Sequence, residues 1–519
     1  MLRQRGWTLV NGFRILLRTI LETTAIAMDI ALLPALESWQ DASFATLPWT
    51  VPVAFCVAVS VFISYVLPCV FSSPPRRLKR RMTTTGLTTL LTETATNRSI
   101  LFSITVLDKI VAKETLVDHL RPRMEPAFFV RFRSRVVGRD FCLVEDFDVA
   151  DHVDVHELDG SQDVHQYAES LNNAPLDMAK PLWMLHVVHS DEQTILLWRL
   201  HHCLGDGQSM SICFMKLCDN GQQVLDAVAA PLRPRAPPIS IATQAAHVLQ
   251  TFGRLLWSIA LYVRKLVRMM CVDESTQYFK QPGHTTKRLA YSLALTVTDT
   301  KAVGKGMGAS INDVMLSCVA GALKQMLPEA ERRPHMFLRT AIPINMRSVT
   351  DPFHTTSNAF SSLLIDLPVG EMDGVERTKL VVRAMAEAKL SMEKEFTLLL
   401  TKVMAVLPEA IMLALSRTFT SRVSVAVTNV RGPSVDLYLG GAKIVQSLGF
   451  IPPPPSVNVG IAITSIGNTL GVTVATDKSI DAAKLMASIE TEFQMLQATV
   501  MTAAPDSASR VHNDGIPTR

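Results

Sequence analysis

The sequence lacks several signatures that would place it quickly. Its eight cysteines lie scattered, with no C-x-x-C pair and no framework spacing. That excludes a disulfide-stapled scaffold and points to reduced thiols facing the cytosol. There is no glycine-rich phosphate loop, no internal repeat and no Gly-x-Ser-x-Gly elbow, so neither a nucleotide cradle nor a serine-hydrolase turn is on offer. The net charge of +4 is too small to imply nucleic-acid binding, and the basic residues matter by location. From Ala42 to Pro75 charge is missing altogether.

That uncharged stretch is informative. Its core, Val51 to Phe71, is long enough to cross a bilayer as a helix. Pro52 and Pro68 sit near its ends, where they cost least. Five positive charges follow within Arg76 to Arg81, which by the positive-inside rule keeps this flank and all that follows cytosolic. The span lies too far from the start, without a small-residue cleavage site, to be a signal peptide. Trp7 to Trp39 is apolar but broken by Arg14, Arg18, Glu22, Asp29 and Glu37; it fits a second membrane helix or an amphipathic surface helix equally. A hydrophobic content of 48% and a mean hydropathy of +0.22 agree with membrane contact.

With 519 residues the chain has room for two medium domains or a pseudo-symmetric pair. Met82 to Leu90, rich in threonine, reads as a short linker. Mixed α/β alternation follows as far as the break at Pro231–Pro238. Ile241 to Val272 is an apolar helix carrying Arg254, Arg264, Lys265 and Arg268. It suits either an anionic membrane surface or a crossover packed between two halves. Strand and helix signals resume from about Lys287 to Leu496, and Ala503 to Arg519 reads as disordered.

The stretch that says most about chemistry is His201-His202-x-x-x-Asp206-Gly207. It falls between an apolar run of strand length, Thr194 to Leu200, and a helix-like segment, Ser209 to Leu217. A histidine at the end of a buried strand can present one ring nitrogen to a cavity as a general base. Its bland counterpart is a satisfied core histidine. His186 and His189 add two more imidazoles, but no acidic residue stands at ligand spacing and the pair points to opposite strand faces, so no metal site is expected.

Around this motif stand Asp146-Phe147-Asp148, His152-Val153, Leu176-Asp177 and Pro181-Leu182-Trp183-Met184-Leu185-His186-Val187. Downstream come Ile311-Asn312-Asp313-Val314, Pro343-Ile344-Asn345-Met346-Arg347, Asn358 and Thr428-Asn429-Val430-Arg431-Gly432-Pro433. In this order the set resembles the bifunctional wax ester synthase/diacylglycerol acyltransferase family, within the superfamily of CoA-dependent acyltransferases. The resemblance runs from about Thr84 to Leu496. Arg431 stands where the family usually has proline and Ser357 where it has glycine, departures that touch loop shape. The Asp-Phe-Gly-Trp-Gly block of plant acyltransferases is absent.

The resemblance implies an α/β fold of two similar chloramphenicol-acetyltransferase-like halves, with mixed sheets around a central tunnel, plus an N-terminal membrane-anchoring helical region. On this reading residues 1–83 are the anchor, 84–240 the first half, 241–285 a linker with its amphipathic helix, 286–497 the second half and 498–519 a disordered tail. His202 matches the family's base and His201 packs the loop. Asp206 pairs with an arginine, for which Arg347 is the candidate, and Gly207 allows a close backbone approach or a special turn. Asn312 and Asp313 either cap a helix running from Val314 to Leu327 or act near the tunnel. Pro181-Leu182-Trp183 forms a buried turn, and Cys203 is a structural thiol.

The implied reaction moves a fatty acyl group from acyl-CoA to a long-chain alcohol or diacylglycerol, with acyl-CoA as co-substrate, no cofactor and no metal. Membrane lipid is an expected partner and nucleic acid is not. The endoplasmic reticulum or a lipid-droplet surface fits the topology. Two other readings stay open. A carrier-dependent condensation-type acyltransferase would expect neighbouring carrier domains, and a lipid-binding, non-catalytic relative would be expected to have lost the histidine first.

Overall fold

The computed structural model describes residues 79–157, 163–190, 192–228, 241–347, 357–404 and 406–509. The chain divides into two compact units, Met1–Ser73 and Pro74–Arg519, and every element below belongs to the second. The span Val51–Phe71, the segment Trp7–Trp39 and the Pro231–Pro238 break lie outside the described residues. Among the described residues no single helix is long and apolar enough to cross a membrane.

The first half begins with β1 (Lys79–Arg81) and α1 (Thr84–Leu91), the segment expected to be a linker. It is helical because its threonines are satisfied locally. Thr83 caps the first turn through Gly86 N, and the hydroxyls of Thr88, Thr89 and Thr92 bond carbonyls three or four residues back. Next come β2 (Ile100–Leu107), α2 (Lys113–Arg123), β3 (Ser134–Val137), β4 (Asp140–Leu143), β5 (Val153–His156) and α3 (Val164–Asn173). The half closes with β6 (Trp183–His189), β7 (Thr194–His201), α4 (Gly207–Leu217) and α5 (Gly221–Val228). Strands β1, β4 and β3 form a small antiparallel sheet. At the start of β6, Trp183 is 1% exposed and donates from its indole to Phe132 O at 2.8 Å.

Helix α6 (Ile241–Cys271) leads into the second half. That half contains β8 (Lys287–Thr296), α7 (Val297–Met307), α8 (Ile311–Met326), β9 (Leu338–Asn345), β10 (Phe360–Leu367), α9 (Gly374–Leu390), α10 (Glu393–Met404) and α11 (Glu409–Thr420). It continues through β11 (Val425–Val430), β12 (Tyr438–Leu439), β13 (Ala442–Phe450), β14 (Val459–Ile466), β15 (Thr469–Asp477) and α12 (Ala482–Ser509). The second sheet runs β10-β9-β11-β14-β15-β8, with β11 parallel to both of its neighbours. Helix α8 is buried from Asp313 through Leu323 and packs against α9 and α12 as the core of this half.

Two expectations need correction. The two halves are not separate stretches of sequence: β12 and β13 join the first sheet, in the order β12-β13-β2-β7-β6-β5, and Ile444 lies opposite Leu107. The tail does not lose structure at residue 498, because α12 continues to Ser509. In its last turns the Thr499 and Thr502 hydroxyls bond Met495 O and Ala498 O. Of the four basic residues on α6, Arg254 is exposed, Arg264 and Arg268 keep 64% and 51% of their side chains exposed, and Lys265 is largely covered. Arg264 pairs with Glu387, Lys265 with Glu393 and Arg268 with Asp366, all carboxylates of the second half.

Candidate active site

Strand β7 is buried along most of its length and delivers the two histidines to the start of α4. His201 is the last strand residue, opposite Ile100 of β2, and is 1% exposed. Its Nδ1 accepts from Cys203 N at 3.0 Å, so the ring proton sits on Nε2, which donates to Glu93 Oε2 at 2.8 Å. Both nitrogens are therefore engaged in holding the turn. His202 follows with its backbone fixed on both sides: its N–H donates to Ser99 O at 2.7 Å, and its carbonyl accepts from Asn358 Nδ2 at 2.9 Å.

The His202 ring lines a cavity of about 640 Å³ walled by α1, α6, α10, α11 and the cavity face of the second sheet. Its Nδ1 is buried with no hydrogen-bond partner, and the Phe360 ring lies 5.7 Å away, centroid to centroid. Burial pushes the His202 imidazole below its ordinary pKa, while its own carbonyl and the Asp206 carboxylate pull the other way. Cys203 is buried and its thiol is pushed up by desolvation, far from a thiolate nucleophile.

Asp206 works twice. As the N-cap of α4 it accepts from Ser209 N at 2.8 Å. Arg347 Nη2 also donates to both of its carboxylate oxygens at 2.9 Å, and Ala359 N donates to Oδ2 at 2.7 Å. Every oxygen is thus occupied by a donor other than His202, which leaves no room for a His–Asp relay. Arg347 further donates to Ser209 Oγ, Ser357 O and Asn345 Oδ1. Gly207 takes no left-handed turn. A Cβ there would make ordinary van der Waals contact, 3.4 Å from Val430 Cγ2. The tight approach is at Gly86 of α1, where a Cβ would meet Cys203 O at 3.0 Å, so α1 is pressed directly onto the histidine loop.

Asn312 and Asp313 do not line the cavity. The helix they belong to starts earlier than expected, at Ile311, with Ser310 as its cap and Asp313 closing a capping box through Ser310 N and Oγ. His186 and His189 are taken up separately, by Tyr167 and Asp154 in one case and Val111 O in the other. Among the described residues no group of ligands could hold a metal ion.

The model for the wax ester synthase/diacylglycerol acyltransferase catalytic domain matches residues 138–315, and that for the C-terminal domain of the same family matches residues 356–497. The chain belongs to the wax ester synthase/diacylglycerol acyltransferase family. Among relatives in this family, one described as a probable diacylglycerol O-acyltransferase of Mycobacterium tuberculosis is 26% identical over 410 residues, covering 73% of this chain and 86% of the relative. The fold matches the wax ester synthase/diacylglycerol acyltransferase of Marinobacter aquaeolei VT8 with a TM-score of 0.56 at 17% identity, over 81% of this chain and 99% of that one. It also matches a starter condensation domain of rhizomide synthetase, solved with C8-CoA and Leu-SNAC, at a TM-score of 0.53 and 12% identity, over 82% and 95% of the two chains.

Glu93 went unnoticed in the sequence because it lies 108 residues before its partner. Replacing it by alanine strands a buried Nε2–H donor, which costs about 1–3 kcal/mol, and frees the turn beside His202. We expect Glu93→Ala to lower kcat about tenfold with little change in KM, as for a geometric fault of this size. Glu93→Gln retains an acceptor oxygen and should recover most of the rate. Steady-state kinetics on both variants would check this, and an unchanged kcat in Glu93→Ala would exclude the positioning role.

Proposed function

We propose that the protein is a membrane-anchored O-acyltransferase. It moves a fatty acyl group from acyl-CoA to the hydroxyl of a long-chain alcohol or diacylglycerol, giving a wax ester or triacylglycerol. The observation that carries this reading is the His202 ring on the wall of the large cavity, with Nδ1 buried and a pKa lowered by desolvation. A neutral imidazole with Nδ1 sequestered leaves Nε2 as the nitrogen on the cavity side. It takes the hydroxyl proton as the alcohol oxygen attacks the thioester carbonyl. The C–S bond then breaks and the imidazolium returns that proton to the departing CoA sulfur, so no residue is left acylated. The names of the mycobacterial and marine relatives support the substrate class.

Attachment to lipid is supported by the uncharged span Val51–Phe71 and by α6. Beside the ion pairs of Arg264, Lys265 and Arg268, α6 leaves Leu256, Trp257, Val263 and Val267 exposed, Trp257 to 64%, with Arg254 exposed as well. The basic flank after the span supports a cytosolic catalytic region, an orientation that suits the endoplasmic reticulum or a droplet surface. The test is one preparation: carbonate-washed membranes holding the full chain, given labelled acyl-CoA with hexadecanol or dioleoylglycerol. Labelled ester with at least one acceptor is expected. No ester with either would overturn the reaction, and activity released into the wash would overturn the anchor.

A further inference from the structure

We propose that the arm of the cavity running from His202 along the edge of the second sheet holds one extended alkyl chain, and that Ala341 and Ala426 set how long that chain can be. This rests on the acyl-transfer reading above and deepens it.

The register of the sheet gives the arm a length. Phe360, beside the His202 ring, lies opposite Asn345, and Asp366 lies opposite Arg339. Alternate residues of β10, namely Phe360, Ser362, Leu364 and Asp366, all face the cavity, as the two-residue period of a strand requires. Six steps at ~3.3 Å each separate Phe360 from Asp366, about 20 Å in all. That is the reach of a long, extended fatty chain. Lys265 and Glu393 pair on the outer edge of β10 beside Leu364, and charge closes the far end, where Asp366 holds Arg268 at 2.7 Å and Arg339 at 3.4 Å. A methyl end has nothing to gain by running into this last cluster of charged groups, so the arm stops there.

The gauge lies part-way along. Ala341 of β9 and Ala426 of β11 are register neighbours, with Leu364 opposite Ala341. Both alanines face the cavity and are 8% and 5% exposed within an apolar cluster that includes Val423 and Val457. Four strand steps separate Ala341 from Asn345, placing the pair about 13 Å from the level of His202. Only a methyl group occupies the floor at this point on each strand, so the space above it is left for the ligand. A larger side chain would fill the path of any tail longer than roughly ten carbons, judged from the same spacing.

The chemistry of the arm is shared by two sources, the acyl tail of the donor and the tail of the acceptor, and the experiment separates them. Full-length protein carrying Ala426→Leu, and separately Ala341→Val, is assayed with acyl-CoAs of eight to eighteen carbons at one fixed acceptor. It is then assayed with alcohols of eight to eighteen carbons at one fixed acyl-CoA. We expect kcat/KM for the sixteen-carbon member of one series to fall about a hundredfold while the eight-carbon member stays within about twofold, since a few blocked methylenes carry that much discrimination. The series that shifts identifies whose tail lies in the arm. Equal loss at every length in both variants, or unchanged profiles in both series, would overturn the proposal. Absence of transfer by the unmodified protein at every length would instead overturn the acyl-transfer reading beneath it.

Discussion

On the proposed mechanism, replacing His202 by alanine should lower transfer about a hundred- to ten-thousandfold, the usual contribution of a positioned general base, while leaving expression intact. The size follows from the isolation of the ring. Asp206 cannot serve as a second base, because Arg347, Ser209 N and Ala359 N occupy its oxygens. His201 cannot substitute either, with Nδ1 committed to Cys203 N and Nε2 to Glu93. His201→Ala should therefore cost less, acting through the shape of the turn. A pH profile gives a second check. Burial holds the His202 pKa below its ordinary 6.5, so the base is neutral at pH 7, and the rate should fall only as acid carries the pH through that lowered value. An acid limb centred above 6.5, or near-normal turnover in His202→Ala, would sink the mechanism. Equal losses in the two histidine variants would mean that their roles cannot be divided in this way.

What was legible in the sequence is what is local. Strand β7, the motif and helix α4 follow one another within about two dozen residues, and the expected boundaries differ from the observed ones by one or two positions. Helix α1 has the look of a linker in sequence because threonine is a poor helix former. Its propensity is offset by hydroxyls that bond back to the helix and by packing on the histidine loop, neither of which a propensity reading contains. The same segment supplies a wall of the cavity through Thr85, Thr88, Thr89 and Thr92. A propensity reading of this segment therefore hides part of the site as well as part of the fold.

The remaining misses are long-range. Nothing near residue 440 announces that β13 will leave its own half and pair with β2, more than three hundred residues earlier. Nor do Arg264, Lys265 and Arg268 reveal that their partners lie about a hundred residues further on. A basic stripe on an apolar helix looks the same whether it faces lipid or carboxylates. Asn312 and Asp313 illustrate the opposite hazard. They belong to the motif set that carries the family resemblance, yet Asp313 is spent on a capping box and neither residue reaches the cavity. Belonging to a motif is therefore no guide to which side chains touch substrate.

The Asp206–Arg347 pair should behave as one structural unit, with a large effect on stability. The two side chains are 7% and 3% exposed, so truncating either leaves a charge buried and unpaired, which costs about 3–5 kcal/mol. Asp206→Ala and Arg347→Ala are each expected to lower the unfolding midpoint by several degrees, at about 2–4 °C per kcal/mol for a large domain. The double variant should fall short of the sum by about 1–3 kcal/mol, because the second change removes the charge orphaned by the first. It should not return to the starting stability, since Ser209 N and Ala359 N still lose their acceptor. Asp206→Asn is the finer probe. One amide oxygen can still cap α4 and accept from Arg347, but the amide nitrogen turns a donor toward the donors of Arg347 and Ala359, so both stability and rate should drop. Unfolding midpoints for the four members of the cycle measure the coupling directly, and strictly additive shifts would mean that the ion pair does not bind the loop after β9 to the histidine motif.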